Sequence, residues 1–141
     1  VRFADTNVLL YAISRDPEER TKALRANEIL GLGDVGLSVQ VLQEFYVQST
    51  RASRADPISH DQAAGLIESW CRFPVQPITV EVMRAALATR QRFHIAYWDA
   101  AILEAGRALG CTVVLSEDLD SATDYDGIRV ENPFHPGPPA P

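Results

Sequence analysis

Short apolar runs alternate with longer stretches of helical period along this chain. Residues 2 to 6 read as a first strand that runs straight into an apolar helical turn over 7 to 14. Pro17 opens a second helix through Leu30, with proline in its first turn and Gly31 past its end. The run VGLSV, from Val35 to Val39, predicts a second strand, and Ser38 or Val39 leads into a helix to about Thr50. A polar link stopped by Pro57 follows, then a helix N-capped by Ser59 and reaching Arg72. VQPI is a third short strand, and Thr79 caps a helix to about Phe93. Residues 97 to 109 form the last predicted helix, closed by Gly110. CTVVLS, from Cys111, is a continuous apolar run suited to a strand buried on both faces. Residues 128 to 130 give a brief final strand.

Strands separated by helices imply crossover connections, hence an α/β fold with a parallel sheet of about five short strands between helices. With no internal repeat, the 141 residues suit one domain over 1–134, followed by a tail at 135–141 too proline-rich for regular structure.

Composition narrows the function without fixing it. No stretch is long and apolar enough to span a membrane, and the start has no signal-peptide pattern, so a cytoplasmic protein is expected. Cys71 and Cys111 lack partners at metal-ligand spacing and read as reduced, at least partly buried thiols. The net charge of −6 is the wrong sign for a broad basic face gripping nucleic acid. Twelve of the thirteen basic residues are arginine, the better phosphate fork, so local contact with nucleic acid stays open.

The acids carry the chemistry. Ligands of such sheets gather outside the carboxyl ends of the strands. Asp5 ends the first strand, and SEDLDS begins at the end of CTVVLS, so Asp5 meets one or more of Glu117, Asp118 and Asp120 at one edge. Asp5 neither caps a helix convincingly nor faces water freely. Glu44 flanks an apolar helix face beside Val41, Phe45 and Tyr46. Asp99 lies in the first turn of its helix, where a dipole charge would be enough explanation, yet apolar residues crowd it. Four carboxylates at one edge repel by roughly 3 kcal/mol for each pair about 5 Å apart at an effective dielectric near 20. No Lys or His stands near them in sequence. A divalent cation resolves the conflict, and oxygen ligands select Mg²⁺ or Mn²⁺ over zinc. Such a cation can activate water for hydrolysis of a phosphodiester, and its charge removes the need for a basic protein.

The order DTNVLLYAI, Glu44 in a helix after a short strand, YWDAAILEAG, LSEDL and ENPF resembles the PIN-domain ribonucleases, most closely the VapC-like toxins of type II toxin–antitoxin pairs. The resemblance runs from Val1 to about Phe134 and implies a PIN-like three-layer fold. It implies an Mg²⁺-dependent endoribonuclease, with Mn²⁺ able to substitute, that hydrolyses RNA with a metal-activated water. The family's four acids match Asp5, Glu44, Asp99 and Asp118, with Ser116 in the small-hydroxyl position. Thr6 and Asn7 are expected to orient Asp5 by hydrogen bonds. The loop DSATDYDG is richer in acids than the pattern needs, so Asp120 stands as an alternative to, or companion of, Asp118. The resemblance further implies a homodimer and a cognate antitoxin whose tail enters the acidic groove.

Other signals weigh less. GLGDVG matches a dinucleotide fingerprint by letter, but a helix precedes it and a strand follows, the reverse of what that motif needs. A phospho-acceptor receiver wants a late-strand lysine, and Lys22 is the only lysine; an aspartyl phosphatase wants Asp where Asn7 stands. His60 and His135 suit solvated roles, and His94 falls on the loop before Asp99. Arg15, Arg51, Arg54, Arg90 and Arg92 are open to RNA or to surface ion pairs. Tyr97 and Trp98 read as core. A non-catalytic PIN-like module that binds RNA or protein is the rival, marked by a missing acid, and none is missing.

Overall fold

A computed structural model describes residues 1–135. The strands are β1 (Arg2–Ala4), β2 (Val35–Ser38), β3 (Val75–Gln76), β4 (Val113–Leu115), β5 (Asp124–Tyr125) and β6 (Ile128–Glu131). The helices are α1 (Thr6–Ala12), α2 (Arg20–Leu32), α3 (Val39–Thr50), α4 (His60–Trp70), α5 (Val80–Phe93) and α6 (Tyr97–Ala108), with a 3₁₀ turn at Pro17–Glu19.

The sheet runs β3-β2-β1-β4-β6-β5. Five strands are parallel, as the alternation of elements predicts; β5 pairs antiparallel with β6 and adds a sixth. From β1 the chain steps to β2 and then β3, and afterwards returns past them to β4. Crossovers of one hand must therefore put α5 and α6 on the face opposite α1 to α4. The crevice where the strand order reverses lies between β1 and β4, the place where such sheets bind ligands.

The core is apolar, one large cluster around the sheet with a small second one of Ala86, Ala100 and Ala101 between α5 and α6. Phe3, Ala4, Val35, Leu37, Val114 and Leu115 are fully buried in the central strands. Residues 100 to 106 of α6 are buried all round, and Gly106 lets that helix lie close: a Cβ there would stand 3.3 Å from Phe3 Cβ and Val114 Cγ2. On the same helix, Glu104 is buried and accepts from the Thr89 hydroxyl at 2.8 Å and Arg107 Nε at 2.9 Å. Arg107 also donates to the carbonyls of Tyr125 and Asp126, tying α5 and α6 to the β5–β6 hairpin.

Several local expectations change. Asp5 is the N-cap of α1, which begins at Thr6. The second helix passes Gly31 and stops at Gly33, whose φ of 77° is the left-handed conformation that ends it. Cys71 is exposed at the end of α4, whereas Cys111 is buried; both are free thiols. Trp98 is 65% exposed rather than core, and Tyr97 is half-buried. Beyond His135, the proline-rich tail lies outside the described residues. Among the described residues no helix is long and apolar enough to cross a membrane.

Candidate active site

Asp5 follows β1 directly, and its backbone N–H extends the parallel pairing by donating to Leu115 O at 3.0 Å. Asp5 is 7% exposed. Oδ1 accepts from the Thr6 N–H and Oδ2 from the Ser116 hydroxyl, each at 2.7 Å. Burial pushes its pKa up to about 6; the Ser116 and Thr6 hydrogen bonds oppose this, and the charges of Glu44 and Asp118 reinforce it.

Ser116 follows β4 directly, on the other side of the crevice. Its fully buried hydroxyl donates to Asp5 and accepts from the backbone N–H of Asp118 at 3.1 Å and of Leu119 at 3.4 Å. One side chain thus fixes Asp5 and folds the loop that carries Asp118. Asp118 in turn accepts from Asn7 Nδ2 at 3.1 Å.

Glu44 lies on α3, whose N-cap Ser38 accepts from the Val41 N–H. Oε2 accepts from the Thr6 hydroxyl at 2.7 Å, and Oε1 from Gln40 Nε2 at 2.8 Å. Thr6 therefore reaches Glu44 by its side chain and Asp5 by its backbone. Asp99 enters from the opposite layer, in the first turn of α6. No described residue hydrogen-bonds to its carboxylate, and burial, then Asp118 and Glu44, push its pKa up.

Asp5, Glu44, Asp99 and Asp118 line one cavity of about 130 Å³, together with Thr6 and Asn7. None of the described lysines, arginines or histidines lines it. Asn7, on the same wall, buries its Oδ1 with no hydrogen-bond partner among the described residues, an orphaned acceptor. By chemistry the donors fit a hard divalent cation: all are oxygens, mostly anionic, and burial and the neighbouring carboxylates push the pKa of Asp5 and Asp99 up. They surround the cavity rather than meet at a point. Among the described residues no three His, Cys, Asp or Glu side chains form a group that could hold a metal ion as they stand.

Asp120 is placed differently. It is exposed and turned into its own loop, accepting from the Ala122 N–H at 2.9 Å and the Thr123 hydroxyl at 2.8 Å. His94 caps the end of α5 in the left-handed conformation, and His60 bonds Tyr46; neither lines the cavity.

Three participants escaped the sequence reading. Gln40 sits one helical turn before Glu44, a spacing that could have suggested the contact. Gln48, the next turn on, lines the cavity. Lys22 crosses from α2 to Glu117 Oε2 at 2.6 Å, while the Tyr11 hydroxyl donates to Oε1 at 2.5 Å. Burial works against ionising Glu117, but Lys22 and Tyr11 outweigh it and its pKa falls. Glu117 is thus turned away from the cavity, and a lysine does stand beside the acidic loop, though 95 residues away along the chain.

A family model for the PIN domain matches residues 2–127. Solved structures share the fold at low identity. A toxin–antitoxin complex from Klebsiella pneumoniae superposes with a TM-score of 0.68 at 18% identity, covering 94% of this chain and 98% of that one. VapC20 of Mycobacterium tuberculosis, described as a sarcin–ricin-loop-cleaving toxin, gives 0.63 at 17% identity over 84% and 90%. The Neisseria gonorrhoeae FitAcB structure gives 0.62 at 21% identity over 96% and 99%. No curated protein sequence matches the chain.

Proposed function

This chain belongs to the PIN domain family, and we propose that it is a metal-dependent endoribonuclease acting as the toxin of a toxin–antitoxin pair. One observation carries the reading: carboxylates from four distant points of the chain, Asp5, Glu44, Asp99 and Asp118, share a small cavity with no basic side chain on its wall. Accumulating negative charge without pairing it is costly, so the arrangement calls for a cation from outside the chain.

Asp5, Glu44, Asp99 and Asp118 would hold Mg²⁺ or Mn²⁺. When bound, such an ion supplies a more acidic water and offsets the charge of the phosphodiester. Mg²⁺ keeps several of its waters and uses few carboxylates directly, which suits acids that ring a cavity without meeting. The chain's own residues supply orientation. The Thr6 N–H and the Ser116 hydroxyl fix both oxygens of Asp5. Thr6 and Gln40 fix both oxygens of Glu44, and Asn7 steadies Asp118. Asp99, with no hydrogen bond from a described residue, is the carboxylate most free to take or return a proton.

The partners follow from the same reading. RNA is the substrate, and a cognate antitoxin is supported by fold relatives described as toxin–antitoxin complexes. A homodimer is supported by an apolar stripe of Val80, Met83 and Leu87 along α5, continued by Ile78 and all exposed. Cytoplasmic location fits a chain whose described helices cannot cross a membrane. A second reading, a PIN-like module that binds RNA or protein without cutting, draws on the carboxylates' failure to form a ready-made ligand group.

Incubating antitoxin-free protein with a mixed RNA pool in Mg²⁺, Mn²⁺ or EDTA decides between them, with Asp5→Asn and Asp99→Asn alongside. Metal-dependent cutting lost in both folded variants supports the nuclease. RNA binding with no cutting in any metal supports the binding module.

A further inference from the structure

A second cavity, of about 450 Å³, opens beside the acidic one. The two share Asn7, Leu10 and Asp118 on their walls, so one runs into the other. The size lies within the range of small-molecule sites and accommodates a nucleotide. Leu10 and Ile13 give it an apolar side, while Arg15 and Arg54 stand on its wall from the two loops after α1 and α3.

Its wall also carries carboxylates, and most are engaged. Asp16 accepts from the Glu18 N–H at 3.0 Å, Glu19 from the Ser14 hydroxyl at 2.6 Å, and Glu117 from Lys22 at 2.6 Å. Arg15 approaches Asp56 only to 3.9 Å, with both side chains exposed. Arg54 is half-buried, and among the described residues its guanidinium has no hydrogen bond or ion pair. The other arginines singled out in the sequence do not compete: Arg92 is tied to Asp126 at 2.9 Å, and Arg51 and Arg90 do not line this cavity.

A partly buried arginine on the cavity wall, its guanidinium without a partner among the described residues, is placed where a ligand anion would pair with it. Its planar fork matches a phosphate. The geometry points to this groove as the seat of the single-stranded RNA flanking the bond to be cut. The nucleotide next to the acidic cavity lies against Leu10 and Ile13, with its phosphate forked by Arg54 and the adjoining one met by Arg15. The inference rests on the nuclease reading above and adds the residues that place the strand.

The test measures binding apart from cutting. Full-length protein carrying Asp99→Asn is titrated, with Mn²⁺ present, into a fluorescent single-stranded RNA of mixed sequence, and anisotropy is followed over a salt series. Arg54→Ala should weaken binding about 10-fold and flatten the log–log salt dependence by about 0.7, the value for one lost phosphate contact on a single strand. Arg54→Lys should restore the slope but only part of the affinity. Arg92→Ala, on the surface away from the groove, should change neither. Parental affinity and slope in Arg54→Ala would overturn the inference while leaving the nuclease reading intact. So would equal losses in Arg92→Ala, or an Arg54→Lys protein as weak as Arg54→Ala. RNA binding absent both from the Asp99→Asn protein itself and from the chain with Asp99 intact would overturn the nuclease reading, and this inference with it.

Discussion

Asp5→Asn should stabilise the metal-free protein at neutral pH, although Asp5 belongs to the proposed site. Burial holds the Asp5 carboxyl at about 6 against an ordinary 3.8, so the folded state binds that proton more tightly than the unfolded chain. The group's contribution therefore favours folding below pH 3.8 and is lost as pH rises through about 6. Above that range the ionised side chain costs roughly 3 kcal/mol, each pKa unit being worth about 1.4. Asparagine keeps an acceptor for the Thr6 N–H but cannot take the Ser116 hydroxyl hydrogen on its amide nitrogen. That loss returns about 1 kcal/mol, leaving a net gain of roughly 2 kcal/mol, or about 6 °C in Tm for a chain of this size. Thermal melts in EDTA across the acid-to-neutral range give the answer. With that hydrogen-bond loss the variant should melt slightly lower than the parent near pH 4, overtake it between pH 4 and 6, and hold a level gain above. A variant that melts lower than the parent at neutral pH, or a gain indifferent to pH, refutes the claim that Asp5 is held against its charge.

Other perturbations probe different links. Ser116→Ala removes three hydrogen bonds at once and should cost about 2 kcal/mol in urea unfolding, with cleavage falling further than stability explains because Asp5 and the Asp118 loop lose their common anchor. Arg107→Ala leaves Glu104 buried without its cation; a loss of about 3 kcal/mol is expected by denaturant titration, and a neutral result would deny that the Glu104 cluster braces α5 and α6. Met83→Glu with Leu87→Glu places charge on the exposed stripe of α5 and should convert a dimer to a monomer in sedimentation with little change in Tm.

The sequence exposed those features that depend on chain direction and periodicity. Asp5 and Ser116 fall at the carboxyl ends of β1 and β4 whatever the side chains do, and the reversal of strand order sets those ends together. The limits of α3 and α5 follow from Ser38 and Thr79, whose oxygens accept from Val41 and Val82 N–H. Partnerships across the fold left no such trace. Lys22 finds Glu117 only because α2 packs beside the loop after β4, and neither residue's neighbours in sequence announce it. Trp98 misled for a related reason: an aromatic in an apolar stretch suggests core, but its place in the first turn of α6 turns it to the rim of the acidic cavity. Strand β5 was more nearly within reach. Asp126 and Gly127 both take positive φ, at 54° and 92°, and an Asp-Gly pair is a strong local sign of a tight hairpin. The acid-rich appearance of that loop drew attention to ligands when its acids were shaping turns: Asp124 accepts from the Gly127 N–H, and Asp120 from Ala122 and Thr123. Asp118 differs from both because its carboxylate bonds across the crevice to Asn7 while its backbone, not its side chain, makes the turn through Ser116. A side chain released from local work is what makes Asp118, rather than Asp120, the acid available to the cavity.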